Sequence, residues 1–243
     1  MERRAALYNI APGVTCINDA DESVCYVVCG TEKAAVIDTV NGMENLYDIV
    51  REVTDLPLVV INTHGHCDHV WGNGFFEEAY IHPADVEIHD MFFKMRPELK
   101  TCPLKPLKEG ETVELGGRTL EVILVDGHTR GSICLLDRKD GFLYSGDAIN
   151  GQAWLQLDHS APLSVYLESL NALDAYRPFF TELHNGHNVE GIPASYIDEV
   201  KEGVKDILAG NCADDEDFEV MDSICKRHML RPDAWILYQP TNL

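Results

Sequence analysis

Apolar residues in the first quarter of the chain come in short runs bounded by turn residues. Residues 13–17 and 23–29 are rich in β-branched and thiol side chains, and Asn18-Asp19-Ala20-Asp21 separates them as a turn does. A third run, 34–37, closes on Asp38. Each reads as a strand. The period then changes. Leu46, Ile49, Val50 and Val53 recur at spacings of three and four, which predicts an amphipathic helix. Leu58, Val59, Val60 and Ile61 follow as a buried strand, with Pro57 at its start, where a missing N–H is tolerated.

The same grammar returns downstream. Pro83 sits in the first turn of a helix expected to run to about residue 95. Pro97, Pro103 and Pro106 make the next stretch a loop. Residues 113–115, 119–125, 132–136 and 142–144 read as strands, the first two joined at Gly116-Gly117. A helix over 164–176 places Val165, Leu167, Leu170 and Leu173 near one face. Residues 179–183 read as a strand, 193–208 as the last long helix and 235–238 as one more strand. This succession predicts an α/β chain with sheets packed together and helices outside. Its 243 residues suit one domain over 1–210. Residues 211–243 are expected to pack on it as an acidic segment, Asp214-Asp215-Glu216-Asp217, and an extra strand.

Apolar residues at 45% and charged residues at 25% are ordinary globular values that exclude disorder and coiled coil. The charge balance is not ordinary. Nineteen Lys plus Arg against 41 Asp plus Glu leave −22, which argues against nucleic acid or an anionic membrane as partner. The expected partner is a small molecule. Residues 1–9 lack the apolar core of an export signal, and no stretch is long and apolar enough to span a bilayer. The expected location is the cytoplasm. Eight cysteines without a CxxC pair read as reduced thiols.

The chemistry concentrates after the strand ending at Ile61. His64-Gly65-His66-Cys67-Asp68-His69 holds three imidazoles and a carboxylate, donors suited to zinc or iron. Further donors stand just beyond later strands: Asp126-Gly127-His128-Thr129, Ser145-Gly146-Asp147 and His184-Asn185-Gly186-His187. In order, they describe a groove at one edge of the sheets with seven converging donors, in which His184 and His187 compete for the last place. Cys67 reads as a bystander thiol, and His82 and His89 as cap or surface residues. Asp38 is either an orienting partner of a ligand or an ordinary strand-end turn.

These motifs resemble the metallo-β-lactamase superfamily of binuclear metal hydrolases, over about residues 13–209. The resemblance implies a four-layer αββα sandwich with the metals at the edge of its two central sheets. It implies a first metal on His64, His66 and His128 and a second on Asp68, His69 and His187, with Asp147 bridging them. Gly186 before His187 follows the family motif and favours that histidine. Asp68 and Asp147 become the candidate catalytic carboxylates, and two zinc ions the expected cofactors, with iron or manganese as substitutes.

Departures from subfamily patterns narrow the reading. His69 and Asp147 differ from the commonest β-lactamases, and His66 from flavo-diiron proteins. Asp147 is followed by Ala148-Ile149-Asn150, without the tyrosine usual in acyl-homoserine lactonases. The expectation is a hydrolase of a small thioester, ester or lactone. The alternatives are an iron-dependent redox enzyme resembling persulfide dioxygenases, or a phosphodiesterase. Trp154, Leu155 and His159 either line the pocket or pack the outer layer. Met91, Phe92, Phe93 and Met95 either form an apolar lid or a core face.

Overall fold

The computed structural model describes residues 5–19, 23–220 and 223–243. The far end of the expected 18–21 turn and residues 1–4 therefore lie outside the described residues.

Seven strands form the first sheet in sequence order: β1 (Ala6–Ala11), β2 (Val14–Asp19), β3 (Ser23–Cys29), β4 (Ala34–Ile37), β5 (Leu58–Ile61), β6 (Ala79–Ile81) and β7 (Leu104–Pro106). Pairing is antiparallel as far as β4 and parallel from β4 to β7. The second sheet runs β14-β13-β11-β10-β9-β8, from β8 (Thr112–Glu114), β9 (Thr119–Leu124), β10 (Ile133–Asp137), β11 (Phe142–Gly146), β13 (Glu182–Asn185) and β14 (Ile192–Pro193). A third sheet joins β12 (Gln152–Leu155), β17 (Ala234–Tyr238), β16 (Ser223–Arg231) and β15 (Glu216–Val220) in that order.

Alternation along β3 shows how the layers arise. Val24, Tyr26 and Val28 turn inward and meet Leu120, Val122, Ile133, Leu135 and Tyr144 from the second sheet. Cys25 and Val27 turn outward and pack with Leu46, Ile49 and Val50 of α1 (Leu46–Val53). Successive side chains on a strand point to opposite faces, so a strand covered on both sides is apolar throughout. On the far face of the second sheet, Cys134, Leu136 and Leu143 meet two more helices. They pack against Tyr166 and Leu170 of α4 (Leu163–Ala172) and Ile197, Val200 and Val204 of α5 (Tyr196–Leu208). The order is helix, sheet, sheet, helix, the expected αββα sandwich. Ala234, Ile236 and Tyr238 of β17 belong to the same apolar cluster as α4 and α5.

Several elements differ from the sequence reading. The edge strand β1, which the sequence reading did not predict, leaves Leu7 and Tyr8 exposed and shows no alternation of buried and exposed positions. The supposed loop after Pro97 contains β7, an edge strand on which Pro106 is tolerated. The acidic cluster is partly β15, whose Glu216 and Asp217 pair across to Arg227 and Lys226 of β16. Residues 177–179 form a 3-10 turn, and the strand expected at 179–183 lies at Glu182–Asn185. The helix expected from Pro83 begins with a 3-10 turn and becomes α3 (Val86–Met95). No helix among the described residues is long and apolar enough to cross a membrane.

Candidate metal centre

Strand direction places the donors. β4 and β5 run parallel, and β9, β11 and β13 share one direction, because β10 is antiparallel to β9 and β11 while β13 is parallel to β11. Each donor segment follows the end of one of these strands. His66 then caps the short helix α2 (Cys67–Val70), which carries Asp68 and His69. Two hydrogen bonds stitch the sheets at this edge, from Ile133 N to Thr63 O (2.9 Å) and from Val24 N to Gly186 O (2.8 Å).

All seven expected donors meet there. Ligand atoms of His64, His66 and His128 lie within 4.8 Å of one another, as do those of His64, His69 and Asp147, and those of Asp68, His69 and His187. His187 Nε2 is 3.0 Å from Asp147 Oδ2 and 3.7 Å from Asp68 Oδ2. Asp147 is also 3.6 Å from His69 Nε2 and 3.7 Å from His128 Nε2, which places it between the two groups. His184 is not among them. It is buried against Tyr26, Phe142 and Tyr144.

Outer contacts fix how the rings present themselves. His69 Nδ1 donates to Asp38 Oδ2 (2.9 Å), and His128 Nδ1 to the Trp154 carbonyl (2.7 Å). Thr63 Oγ1 donates to Asp38 Oδ2 (2.8 Å), so it can accept from His64 Nδ1 (3.1 Å). Each bond holds a proton on the outer nitrogen and leaves Nε2 with a lone pair facing inward. Asp38 also accepts from Thr63 N (2.7 Å) and sits at φ 64, the left-handed region unusual for a residue other than glycine. Three bonds to one carboxylate keep it there. Asp38 is thus an orienting partner as well as a turn.

The electrostatics follow from burial and crowding. Burial and the neighbouring imidazoles hold His64 and His66 well below the ordinary histidine value. Asp147 pushes His187 up to about 9. Burial opposes the charge of Asp68, yet His69 overrides it and keeps the carboxyl below the carboxylate range. Burial pushes the Cys67 thiol up to about 11, and that thiol belongs to none of the donor groups.

The residues fit a metal site. His64 Nε2, His69 Nε2 and Asp147 Oδ1 are buried and make no hydrogen bond, an arrangement costly unless something else satisfies them. Close packing keeps the cradle open only for glycine. A Cβ on Gly186 would strike the His69 ring and approach Asp147 Oδ1 at 2.8 Å. Gly146, at φ 49, would drive one into the Thr63 side chain that orients His64.

Other residues at the site escaped the sequence reading. Asp85 is fully buried and accepts from Gly65 N (2.8 Å), Gly131 N (2.8 Å) and Thr129 Oγ1 (2.7 Å), binding two donor loops together. Burial pushes its carboxyl up to about 6. His82 caps the 3-10 turn through Ala84 N, as a cap reading expects. His89 is buried rather than superficial, between Asp90 and the Thr101 hydroxyl. Leu155 packs in the outer core, whereas His159 lies against His66. The α3 helix divides: Phe93 is buried, Phe92 approaches His66 at 5.6 Å, and Met91 and Met95 are exposed.

Fold and donor set together define a class. Residues 18–188 match the family model of the metallo-beta-lactamase superfamily, and the chain belongs to that superfamily. It is 32% identical to the acyl-coenzyme A thioesterase MBLAC2 of Gallus gallus over 156 residues, 51% of this chain and 56% of that protein. It is 35% identical to a hydroxyacylglutathione hydrolase of Synechococcus sp. (strain JA-2-3B'a(2-13)) over 122 residues, 49% of this chain and 45% of that one. The chain thus spans about half the length of these relatives. A metallo-beta-lactamase from Pontibacter korlensis superposes with TM-score 0.66 over 83% of this chain and 99% of its own, at 16% identity, a likeness of fold.

Proposed function

We propose that this chain is a metal-dependent hydrolase of small acyl compounds, thioesters first, with esters and lactones as related substrates. The observation that carries the reading is the convergence of three orphaned buried atoms, on His64, His69 and Asp147, within one cluster of imidazoles and carboxylates. His64, His66 and His128 would hold a first divalent ion and Asp68, His69 and His187 a second, with Asp147 shared. Nitrogen and oxygen donors of this kind suit zinc. When bound, such a pair lowers the pKa of water from about 15.7 toward about 7 and stabilises negative charge on oxygen.

The chain's own residues do the rest. Asp38 and Thr63 hold His64 and His69 in the tautomers that face the cluster. Asp68, partly exposed beside His69 and His187, is placed to accept a hydrogen bond at a carboxylate oxygen and orient a water toward the carbonyl. Phe92 and Trp71, 6.5 Å apart, offer an apolar wall beside His66 for the acyl group, and Arg96 lies over Trp71 at its rim. The relatives named as thioester hydrolases favour the same bond. A net charge of −22 disfavours nucleic acid. Eight unpaired thiols suit a reducing compartment such as the cytoplasm.

The test is a panel of thioesters, lactones, aryl esters and phosphodiesters offered to protein loaded with zinc, manganese or iron. Zinc-supported thioester cleavage is expected to lead. Cleavage of phosphodiesters with every acyl compound intact would overturn the reading, as would oxygen consumption on a persulfide with iron alone.

A further inference from the structure

The geometry assigns His159 a role as the positioning residue of His66, a role that rests on the metal reading above. His66 turns Nδ1 toward His128 Nε2 (2.8 Å) and Nε2 toward His159 Nε2 (2.5 Å). The two rings meet edge to face, centroids 4.8 Å apart. His64, His69 and His128 have oxygens behind them: the Thr63 hydroxyl, the Asp38 carboxylate and the Trp154 carbonyl. Behind His66 stands an imidazole instead.

Two ring nitrogens at this distance share one proton, and its direction decides what His66 can do. With His66 donating, its proton is on Nε2 and its Nδ1 lone pair faces the cluster. With His159 donating, the His66 proton moves to Nδ1 and blocks that face. For His66 to serve the first metal, His159 therefore has to be the acceptor, neutral and protonated on its own Nδ1. A carboxylate or carbonyl could only accept, whereas an imidazole can also donate. Among these four ligands, His66 is thus the one whose outer partner is itself an imidazole.

The loop bearing His159 is fastened for this task. Ser160 Oγ donates to the His128 carbonyl (2.9 Å), and Ala161 N to the Gly127 carbonyl (2.8 Å). Trp154 O, upstream on β12, receives His128 Nδ1. One segment, 154–161, thus supports both His66 and His128, two of the three donors of the first group.

Three measurements test the assignment: metal content, zinc affinity by chelator competition, and ring-nitrogen NMR on zinc-loaded, 15N-labelled protein. The unaltered protein is expected to show His66 protonated on Nε2 and His159 on Nδ1. His159→Ala is expected to weaken zinc binding at the first group 10- to 100-fold, the range typical of a lost outer partner. His159→Gln, whose amide oxygen can accept the same proton, is expected to restore most of that loss. Unchanged affinity in His159→Ala would overturn the role, as would the opposite proton placement in the unaltered protein, a readout that requires no variant to fold. Unaltered protein that binds no metal would overturn the metal reading itself. Normal metal uptake with an indifferent His159 would overturn this inference alone.

Discussion

Asp147 sits between the two donor groups with one carboxylate oxygen orphaned and the other 3.0 Å from His187. Asp147→Ala is expected to lower bound metal below the proposed two ions per chain and reduce kcat/KM by more than about a hundredfold, beyond the loss of an outer partner. Its circular dichroism should match the parent, because the side chain lies at the rim of the sheets and not in an apolar cluster. Unchanged metal content would remove Asp147 from the shared position. His187 gives a pH signature. Its pKa is raised to about 9 beside Asp147, so the pair stabilises the metal-free fold fully below pH 6.5 and loses that effect as pH rises through 9. The urea midpoint of stripped protein should fall across that window, and Asp147→Asn should flatten the fall. Zinc needs the neutral imidazole, so loading at pH 7.5 should release a proton into weakly buffered solution.

At the scale of elements, the loops after β5 and β9 are held in common by Asp85. Asp85→Ala strands two backbone N–H groups and takes one partner from the Thr129 hydroxyl, at a cost of about 3 kcal/mol. For a chain of this size that corresponds to a fall in Tm of about 6–12 °C. A melting point within a degree of the parent would show the loops to be independent. The same contacts explain what was legible beforehand. Buried strands such as β3 and β5, and the α1 stripe, announce themselves by period. The 64–69 cluster announces itself because its donors are contiguous. Asp85, His159 and the Trp154 carbonyl reach their partners across 20, 93 and 26 positions, and nothing local marks them. β15 and β16 were hidden for another reason: ion pairs replace the alternation that identifies a strand.

For the whole molecule, the net charge of −22 opposes the approach of anions even though the proposed metal pair attracts them at short range. Raising ionic strength from about 0.01 to 0.15 M shrinks the screening length from about 30 to about 8 Å. A multiply anionic thioester should then show a rise in kcat/KM, while a neutral thioester with the same acyl group should not. Equal salt responses would mean that the charge lies too far from the entrance to matter.

The parallel pairing of Gln152–Leu155 with residues 235–238 also sets an order of events during synthesis. A ribosome delivers β12 well before its partner β17, which follows α4, α5 and the β15–β16 hairpin. At about 5–20 residues per second, the wait lasts several seconds. Once residue 187 has been added, every expected donor has been translated, while the strand whose Trp154 carbonyl steadies His128 still lacks its neighbour. A nascent chain halted before residue 234 should therefore capture metal poorly despite holding all seven donors. The completed ladder makes the last strand a checkpoint on maturation.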